Sequence, residues 1–241
     1  MNVVQRFYNK LPFNKAQDCI IQRSIVKPGT PWPDLNNCLS ESKTVLELGC
    51  GNGWLSNRIA YNFAHTTVTG IDLIEENITV ANRLKQPNSN FSQESILENC
   101  DVADTVVSVG VLHHIPEKDI ESLVSDAVTR ANKYAFIGLY YKPARDAMWD
   151  FFNSVPENRR YKYFKKMTPW FKDDDQRLSW YRDQLEHPYE VSVGQNLYET
   201  VAQRTGFQLT WISDVDSYQK AAERLNRWEF TSGFIYGVFE K

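Results

Sequence analysis

The pattern of apolar and polar positions becomes regular at Thr44. Thr44-Val45-Leu46-Glu47-Leu48 is a nearly continuous apolar run that stops at a glycine cluster, and Trp54 to Phe63 follows with apolar residues at helical spacing. The unit then repeats in kind. Thr67-Val68-Thr69-Gly70-Ile71 predicts a second strand, and Glu75 to Leu84 a helix whose first turn holds two acids, the charge that a helix N-terminus favours. A weaker strand is predicted over Asn90 to Gln93 and a strong β-branched one over Asp104 to Val109. Pro116, well tolerated in a first helical turn, opens a helix to about Arg130, and Tyr134 to Tyr140 predicts a fifth strand. Apolar strands alternating with helices imply a mostly parallel sheet covered on both faces. The predicted class is therefore α/β and doubly wound, with seven strands once the C-terminal elements are counted.

Two stretches break this rhythm. Residues 1 to about 42 are polar and aromatic and are punctuated by Pro12, Pro28, Pro31 and Pro33, which predicts a short helix or two and an irregular connection outside the sheet. After Tyr141 the alternation stops for about 50 residues rich in Trp, Tyr, Phe, Lys and Arg. It resumes with a helix (Gly194 to Arg204), a strand (Phe207 to Ile212) and a last strand (Gly233 to Phe239). The expected organisation is an N-terminal cap over 1–42, a core made of 43–141 and 190–241, and an aromatic-rich insertion over 142–189.

With 241 residues the chain can build one α/β core and a small accessory lobe. Its net charge of -3 gives no overall attraction to nucleic acid or to an anionic membrane, which leaves only a local patch to do so. Cys19, Cys38, Cys50 and Cys100 are scattered, without a CxxC pair or a zinc-like histidine spacing, so free thiols, a reducing compartment and no metal site are expected. Met1-Asn2-Val3-Val4-Gln5-Arg6-Phe7-Tyr8 lacks the apolar stretch of a signal peptide, and no apolar run approaches the roughly 20 residues that cross a bilayer. A cytoplasmic location is expected.

The glycine cluster carries the chemistry, because glycine has no Cβ and lets a ligand come close to the backbone. The dinucleotide fingerprint GxGxxG fails here: counted from Gly49 its third glycine is Trp54, and counted from Gly51 it is Ser56. A P-loop fails too, since no Gly-Lys-Ser/Thr follows. What stands is Glu47-x-Gly49-x-Gly51-x-Gly53, with Asp72 at the end of the second strand. A carboxylate there can accept both hydroxyls of a ribose, or act as an N-cap ahead of Glu75-Glu76. Two further segments follow at matching spacing, Phe91-Ser92-Gln93-Glu94-Ser95-Ile96 and Val107-Ser108-Val109-Gly110-Val111-Leu112-His113-His114-Ile115-Pro116. Together these resemble the cofactor motifs of class I S-adenosylmethionine (SAM)-dependent methyltransferases, closely over about 44–141 and loosely over 194–241.

The resemblance implies a Rossmann-like methyltransferase fold with SAM as cofactor. It puts Glu47, Gly49, Cys50, Gly51 and Gly53 under the methionine and ribose portions, Asp72 on the ribose, and Leu73 and Ile96 against the adenine. The backbone around Val109 and Gly110 would meet the methionine amino group. Ser95 occupies a place where the family often has an aspartate, and a hydroxyl accepts a hydrogen bond without adding charge, so adenine selection rests more on backbone groups and apolar packing.

In an open parallel sheet the ligand lies beyond the strands' carboxyl ends at the switch point, which brings His113 and His114 beside the cofactor. Methyl transfer needs alignment and exclusion of water, and a base only when the nucleophile holds a proton. Histidine titrates near neutrality, so His113 or His114 is the candidate catalytic base, while the same segment can equally serve packing and the cofactor loop. The insertion carries Trp149, Phe151, Phe152, Trp170, Phe171, Trp180 and Tyr181, which can cover an acceptor as a lid or form a small core of their own. Arg159-Arg160-Tyr161-Lys162-Tyr163-Phe164-Lys165-Lys166 either grips a phosphate-bearing or nucleic-acid ligand or forms the solvated face of a helix. Asp173-Asp174-Asp175 can balance that charge, and adjacent loop carboxylates do not converge on a metal ion without further ligands. Arg6 to Phe13 is a second candidate wall, with Tyr8 at the methionine end, and His187-Pro188-Tyr189-Glu190 faces the same edge. The expected activity is methyl transfer to a small or medium acceptor (a sugar, lipid precursor or secondary metabolite) at O, N or C. RNA methylation through the basic segment and SAM binding without catalysis are the alternatives.

Overall fold

The computed structural model describes residues 3–10, 30, 32–169, 171–213 and 233–241. Pro12, Phe13, Cys19, Pro28, Pro31 and Trp170, named above, lie outside the described residues. Two short helices come first, α1 (Val3–Lys10) and α2 (Pro33–Ser40). The chain continues through β1 (Thr44–Leu48), α3 (Trp54–Asn62), β2 (Thr67–Asp72), α4 (Glu75–Arg83), β3 (Ser89–Gln93) and β4 (Ala103–Val109). A 3-10 turn (Glu117–Asp119) leads into α5 (Ile120–Thr129), followed by β5 (Ala131–Tyr141). Three helices then occupy the stretch of broken rhythm: α6 (Lys142–Ser154), α7 (Glu157–Met167) and α8 (Asp174–Leu185). The last elements are β6 (Ser192–Val193), α9 (Gln195–Thr205), β7 (Gln208–Ile212) and β8 (Phe234–Glu240).

The strands run in the order β3-β2-β1-β4-β5-β8-β7, parallel as far as β5, with β8 antiparallel to β5 and to β7. This is a Rossmann-like α/β sheet. The seven predicted strands are joined by an eighth, since β6 pairs in parallel with Tyr140 and Tyr141. Two residues leave no periodic trace in a sequence. The pairing exists because β5 outlasts β4, whose own pairing stops at Val109 opposite Gly138.

Both faces of the sheet are covered, which is why its strands are apolar without alternation. Leu46, Leu48, Val106, Ala135 and Ile137 pack with Val124 and Val128 of α5 and Tyr198 and Val201 of α9. Val45, Val68, Val107, Phe136 and Tyr236 pack with Leu35 and Leu39 of α2 and Leu55 and Ile59 of α3. The helices of the insertion have a core of their own in Met148, Phe152, Phe164 and Tyr181. Asp173 caps α8, accepting from the backbone N of Asp175 at 2.8 Å and of Gln176 at 3.3 Å, so one acid of the Asp173-Asp174-Asp175 run has a purely local task.

Tyr198 ties α9 to the sheet. Its ring lies where a Cβ on Gly237 would come within 2.5 Å, and its hydroxyl donates to the Ile235 carbonyl at 2.8 Å, with the Ile137 carbonyl at 3.2 Å. Tyr198→Phe leaves these buried carbonyls without that donor and is expected to lower stability by about 1–2 kcal/mol, read as a fall in the urea midpoint at unchanged slope.

Candidate active site

β1 lies between β2 and β4, so the loops leaving the carboxyl ends of β1 and β4 meet at the reversal of strand order. The glycine loop is held from below: the backbone N atoms of Gly49 and Cys50 both donate to the Ile71 carbonyl at 2.9 Å, and Gly51 N donates to Asp72 Oδ2 at 2.9 Å. Gly49 (φ 75°) and Gly51 (φ 53°) are glycines for different reasons. A Cβ at 49 would stand 2.4 Å from a methyl of Val111, which the loop after β4 lays across it, whereas a Cβ at 51 would meet nothing within 4 Å. Gly51 is thus the point where the loop backbone faces open space. Gly53 directly precedes α3.

Asp72 Oδ1 accepts from Ile74 N at 2.9 Å and from Asn77 Nδ2 at 3.1 Å. With the Gly51 bond, three of roughly four acceptor positions on the carboxylate are in use. Asp72 therefore serves the turn before α4 and still has about one position for a ribose hydroxyl. Engaging both hydroxyls requires Gly51 or Asn77 to give way.

Glu47 and Cys50 are 4% and 2% exposed, so their side chains shape the loop and do not line its open side. Ser56 Oγ on α3 donates to Glu47 Oε2, and burial, partly opposed by Ser56, pushes the Glu47 pKa up to about 8. Burial likewise holds the Cys50 thiol well above its ordinary range.

Leu73 is half-buried beside Asp72. Ser95 Oγ accepts from Leu97 N at 3.3 Å and its carbonyl accepts from Glu98 N and Asn99 N at 3.0 Å, so Ser95 builds a turn while keeping its own proton to donate. Ile96 packs against the core under α5, and its carbonyl accepts from Arg130 Nη2 at 2.9 Å. Val109 is half-buried, and Gly110 N is spent on the Gly138 carbonyl at 3.0 Å, which leaves carbonyls of this loop to meet an amino group.

The histidines face a second set of groups. Leu112 is anchored in the core, and His113 behind it is 0% exposed with neither ring nitrogen partnered. Its ring stacks on that of Tyr140 at 3.7 Å, and the Arg145 guanidinium lies 3.8 Å from the Tyr140 ring. Burial, with His114, Arg145 and His187 nearby, holds His113 well below the usual histidine range. His114 has both nitrogens occupied: Nδ1 is 3.2 Å from the Tyr189 carbonyl and Nε2 is 3.2 Å from Tyr8 Oη. Burial pushes its pKa down to about 4. Neither histidine is the freely exposed base that its residue type suggests. His113 is enclosed, and both ring nitrogens of His114 face protein groups.

The residues that complete this cluster come from the insertion. Asp183 and Gln184 of α8 are 3% and 5% exposed. Tyr8 Oη and Asp183 Oδ1 share a hydrogen bond at 2.6 Å, and Gln184 Nε2 donates to Asp183 Oδ2 at 2.8 Å and to Tyr140 Oη at 2.7 Å. Arg145 donates to Gln184 and to Glu190. Tyr8 and His187 stand out in the sequence only as neighbours of the edge. Asp183, Gln184 and Arg145 escape it altogether, because a polar residue on a polar helix reads as exposed. Among the described residues no group of His, Cys, Asp or Glu is arranged to hold a metal ion, and no helix is long and apolar enough to cross a membrane.

Sheet order, glycine loop and Asp72 together define a class I methyltransferase core, and the residues present fit SAM: an open backbone at Gly51, spare acceptor capacity at Asp72, apolar Leu73 and Ile96. The family described as "Methyltransferase domain" matches residues 33–232, well over half of the chain, and the chain belongs to that family. Among curated proteins it is 30% identical over 110 residues to the O-antigen chain terminator bifunctional methyltransferase/kinase WbdD of Escherichia coli, covering 42% of this chain and 15% of that protein. It is also 30% identical over 131 residues to the ubiquinone biosynthesis O-methyltransferase of Hydrogenovibrio crunogenus, covering 52% of this chain and 46% of that one. The chain thus spans less than half the length of these relatives. Among solved structures it superposes on magnesium protoporphyrin IX methyltransferase of Synechocystis PCC 6803 with bound SAH, at TM-score 0.55 and 15% identity, covering 99% of this chain and 97% of that one. At that identity the likeness is one of fold.

Two outcomes test the loop. Gly51→Ala places a methyl in the open space at a cost of about 1–2 kcal/mol in backbone strain, so calorimetric titration should show SAM affinity reduced at least tenfold in a folded protein. Folding raises the Glu47 pKa from about 4.5 to about 8, so the native state binds a proton that the unfolded chain releases, and stability falls as pH rises through that interval. Glu47→Gln should remove this component, visible as a flatter pH dependence of the urea midpoint between about pH 5 and about pH 8.

Proposed function

We propose that the chain transfers a methyl group from SAM to a small acceptor at an O, N or C nucleophile. The observation that carries this reading is that the loops after β1 and β4 meet where Val111 lies over Gly49, which brings the glycine loop and Asp72 to the same end of the sheet as a polar cluster of Tyr8, His113, His114, Tyr140 and the insertion. The cofactor would be held by Gly49, Gly51, Gly53, Asp72, Leu73, Ser95, Ile96, Val109 and Gly110, with Glu47 and Cys50 supporting the loop. When bound, SAM supplies a methyl group on a positively charged sulfur. The chain's own part is to align the acceptor, exclude water and accept a proton where the nucleophile carries one.

In this reading residues 142–189 form the lid over the acceptor and residues 1–42 the cap. On α7, Phe164 turns into the lobe's core and Lys165 pairs with Asp174 at 2.8 Å, the arrangement of a solvated helix face, which favours a small acceptor over a nucleic acid. Three cysteines among the described residues, Cys38, Cys50 and Cys100, are free thiols, which supports the cytoplasmic setting we assign.

Titration with SAM should show saturable binding, and methyl-labelled SAM should pass its label to members of a panel of small hydroxyl, amine and carbanion-forming acceptors. Label passing to RNA alone would overturn the small-acceptor reading, and binding without transfer to any class would leave a SAM-binding module.

A further inference from the structure

The hydrogen-bond inventory around His114 constrains where protons sit. The Tyr189 carbonyl can only accept, so His114 carries its proton on Nδ1 and, when neutral, presents a lone pair at Nε2 to Tyr8. Tyr8 has one proton and two neighbours. If it goes to Nε2, Asp183 Oδ1 must be protonated and donate to Tyr8. If it goes to Asp183, Nε2 must carry a second proton. Both arrangements contain the same number of protons and differ only by shifts through the Tyr8 hydroxyl. Burial raises the Asp183 pKa and lowers that of His114, which favours the arrangement with neutral acid and neutral imidazole.

In that arrangement both His114 nitrogens and both Asp183 oxygens are occupied by protein groups. Tyr8 Oη, on a half-buried side chain, keeps one lone pair. Two orphans lie beside it. His113 has both ring nitrogens buried without a partner, and so has His187 at Nε2. The rings are contiguous, with centroids 4.4 Å apart for His113 and His114, 4.0 Å for His114 and His187, and 5.4 Å for Tyr8 and His187. Buried polar atoms left unpaired are costly, and a bound molecule with polar groups of its own would satisfy them.

We propose that the acceptor is a small hydroxyl compound bearing at least one further polar group, and that Tyr8 is the catalytic residue that takes its proton, with His114 and Asp183 as positioning residues and proton store behind it. This rests on the methyl-transfer reading above. As the acceptor oxygen bonds to the methyl carbon and the carbon–sulfur electron pair stays on sulfur, the hydroxyl proton passes to Tyr8 Oη and Tyr8's own proton passes to His114 Nε2. The positive charge lost at sulfur reappears on the imidazolium. His113 and His187 pair with the acceptor's remaining polar groups.

Nitrogen-15 spectra of histidine-labelled full-length protein test the proton inventory without any acceptor. The expected result is His114 as the Nδ1–H tautomer with a hydrogen-bonded Nε2, a signal that Tyr8→Phe shifts in a protein whose urea midpoint shows it folded. Asp183→Asn, whose amide still donates to Tyr8, should keep the tautomer. With a hydroxyl acceptor, Tyr8→Phe should lower kcat by about 100-fold or more, and His113→Ala should act mainly through KM. An Nε2–H tautomer in a wild type that binds SAM, a His114 signal indifferent to Tyr8→Phe, or undiminished kcat in that variant would overturn the relay alone. A wild type that does not bind SAM would overturn the methyl-transfer reading and the relay with it.

Discussion

β4 lies against β1 in parallel register, with Val45 opposite Thr105 and Glu47 opposite Val107, and the site depends on this adjacency. Polar contacts lock it. Lys43 N donates to Asp104 Oδ2 at 2.7 Å, Asp104 N donates to Thr44 Oγ1 at 2.8 Å, and Ser108 Oγ donates to the Leu48 carbonyl at 3.0 Å. A slip of one residue would turn every side chain of β4 to the opposite face and exchange its two apolar layers. With the register held, Val111 arrives over Gly49, and the loops after β1 and β4 become two sides of one opening.

The insertion is governed by polar burial. Gln184 has a single consistent orientation, its oxygen toward Arg145 and its nitrogen toward Asp183 and Tyr140, so it joins α6, α8 and the end of β5 in one set of directed bonds. The ion pair of Arg145 with Glu190, at 3.2 Å between side chains 3% and 8% exposed, belongs to the same set. Burial pushes the Glu190 pKa up to about 8 even beside the guanidinium. Interactions of this kind contribute less to net stability than an apolar core of the same volume, but they are directional. An insertion held by them keeps its buried polar groups in one geometry.

Much of the fold was legible because the cues were local. The run Thr44–Leu48, the β-branched segment ending at Val109 and the two acids opening α4 each report their own backbone through burial, β-propensity or the helix dipole. The glycine loop and Asp72 were legible for the same reason, since spacing along one chain determines which backbone can approach a ligand. β6 was not legible, because a two-residue strand exists only by virtue of its neighbour. Neither were the three helices of the insertion, where charged and aromatic residues are mixed: α8 buries Arg177, Ser179, Asp183 and Gln184, an inversion of the apolar-inside rule on which such reading relies.

The sequence by itself determined the doubly wound class and the strands bearing the cofactor motifs, because each follows from short-range pattern, and the resemblance of those motifs to class I methyltransferases named the cofactor. Only the tertiary structure decided what surrounds the histidines. Whether an imidazole is a free base, an enclosed neutral ring or one member of a proton-sharing set depends on which groups stand within hydrogen-bond distance. For His114 these are Tyr8, 106 positions away, and Tyr189, 75 positions away. Contacts at such separations are set by packing, and no property of the local sequence encodes them.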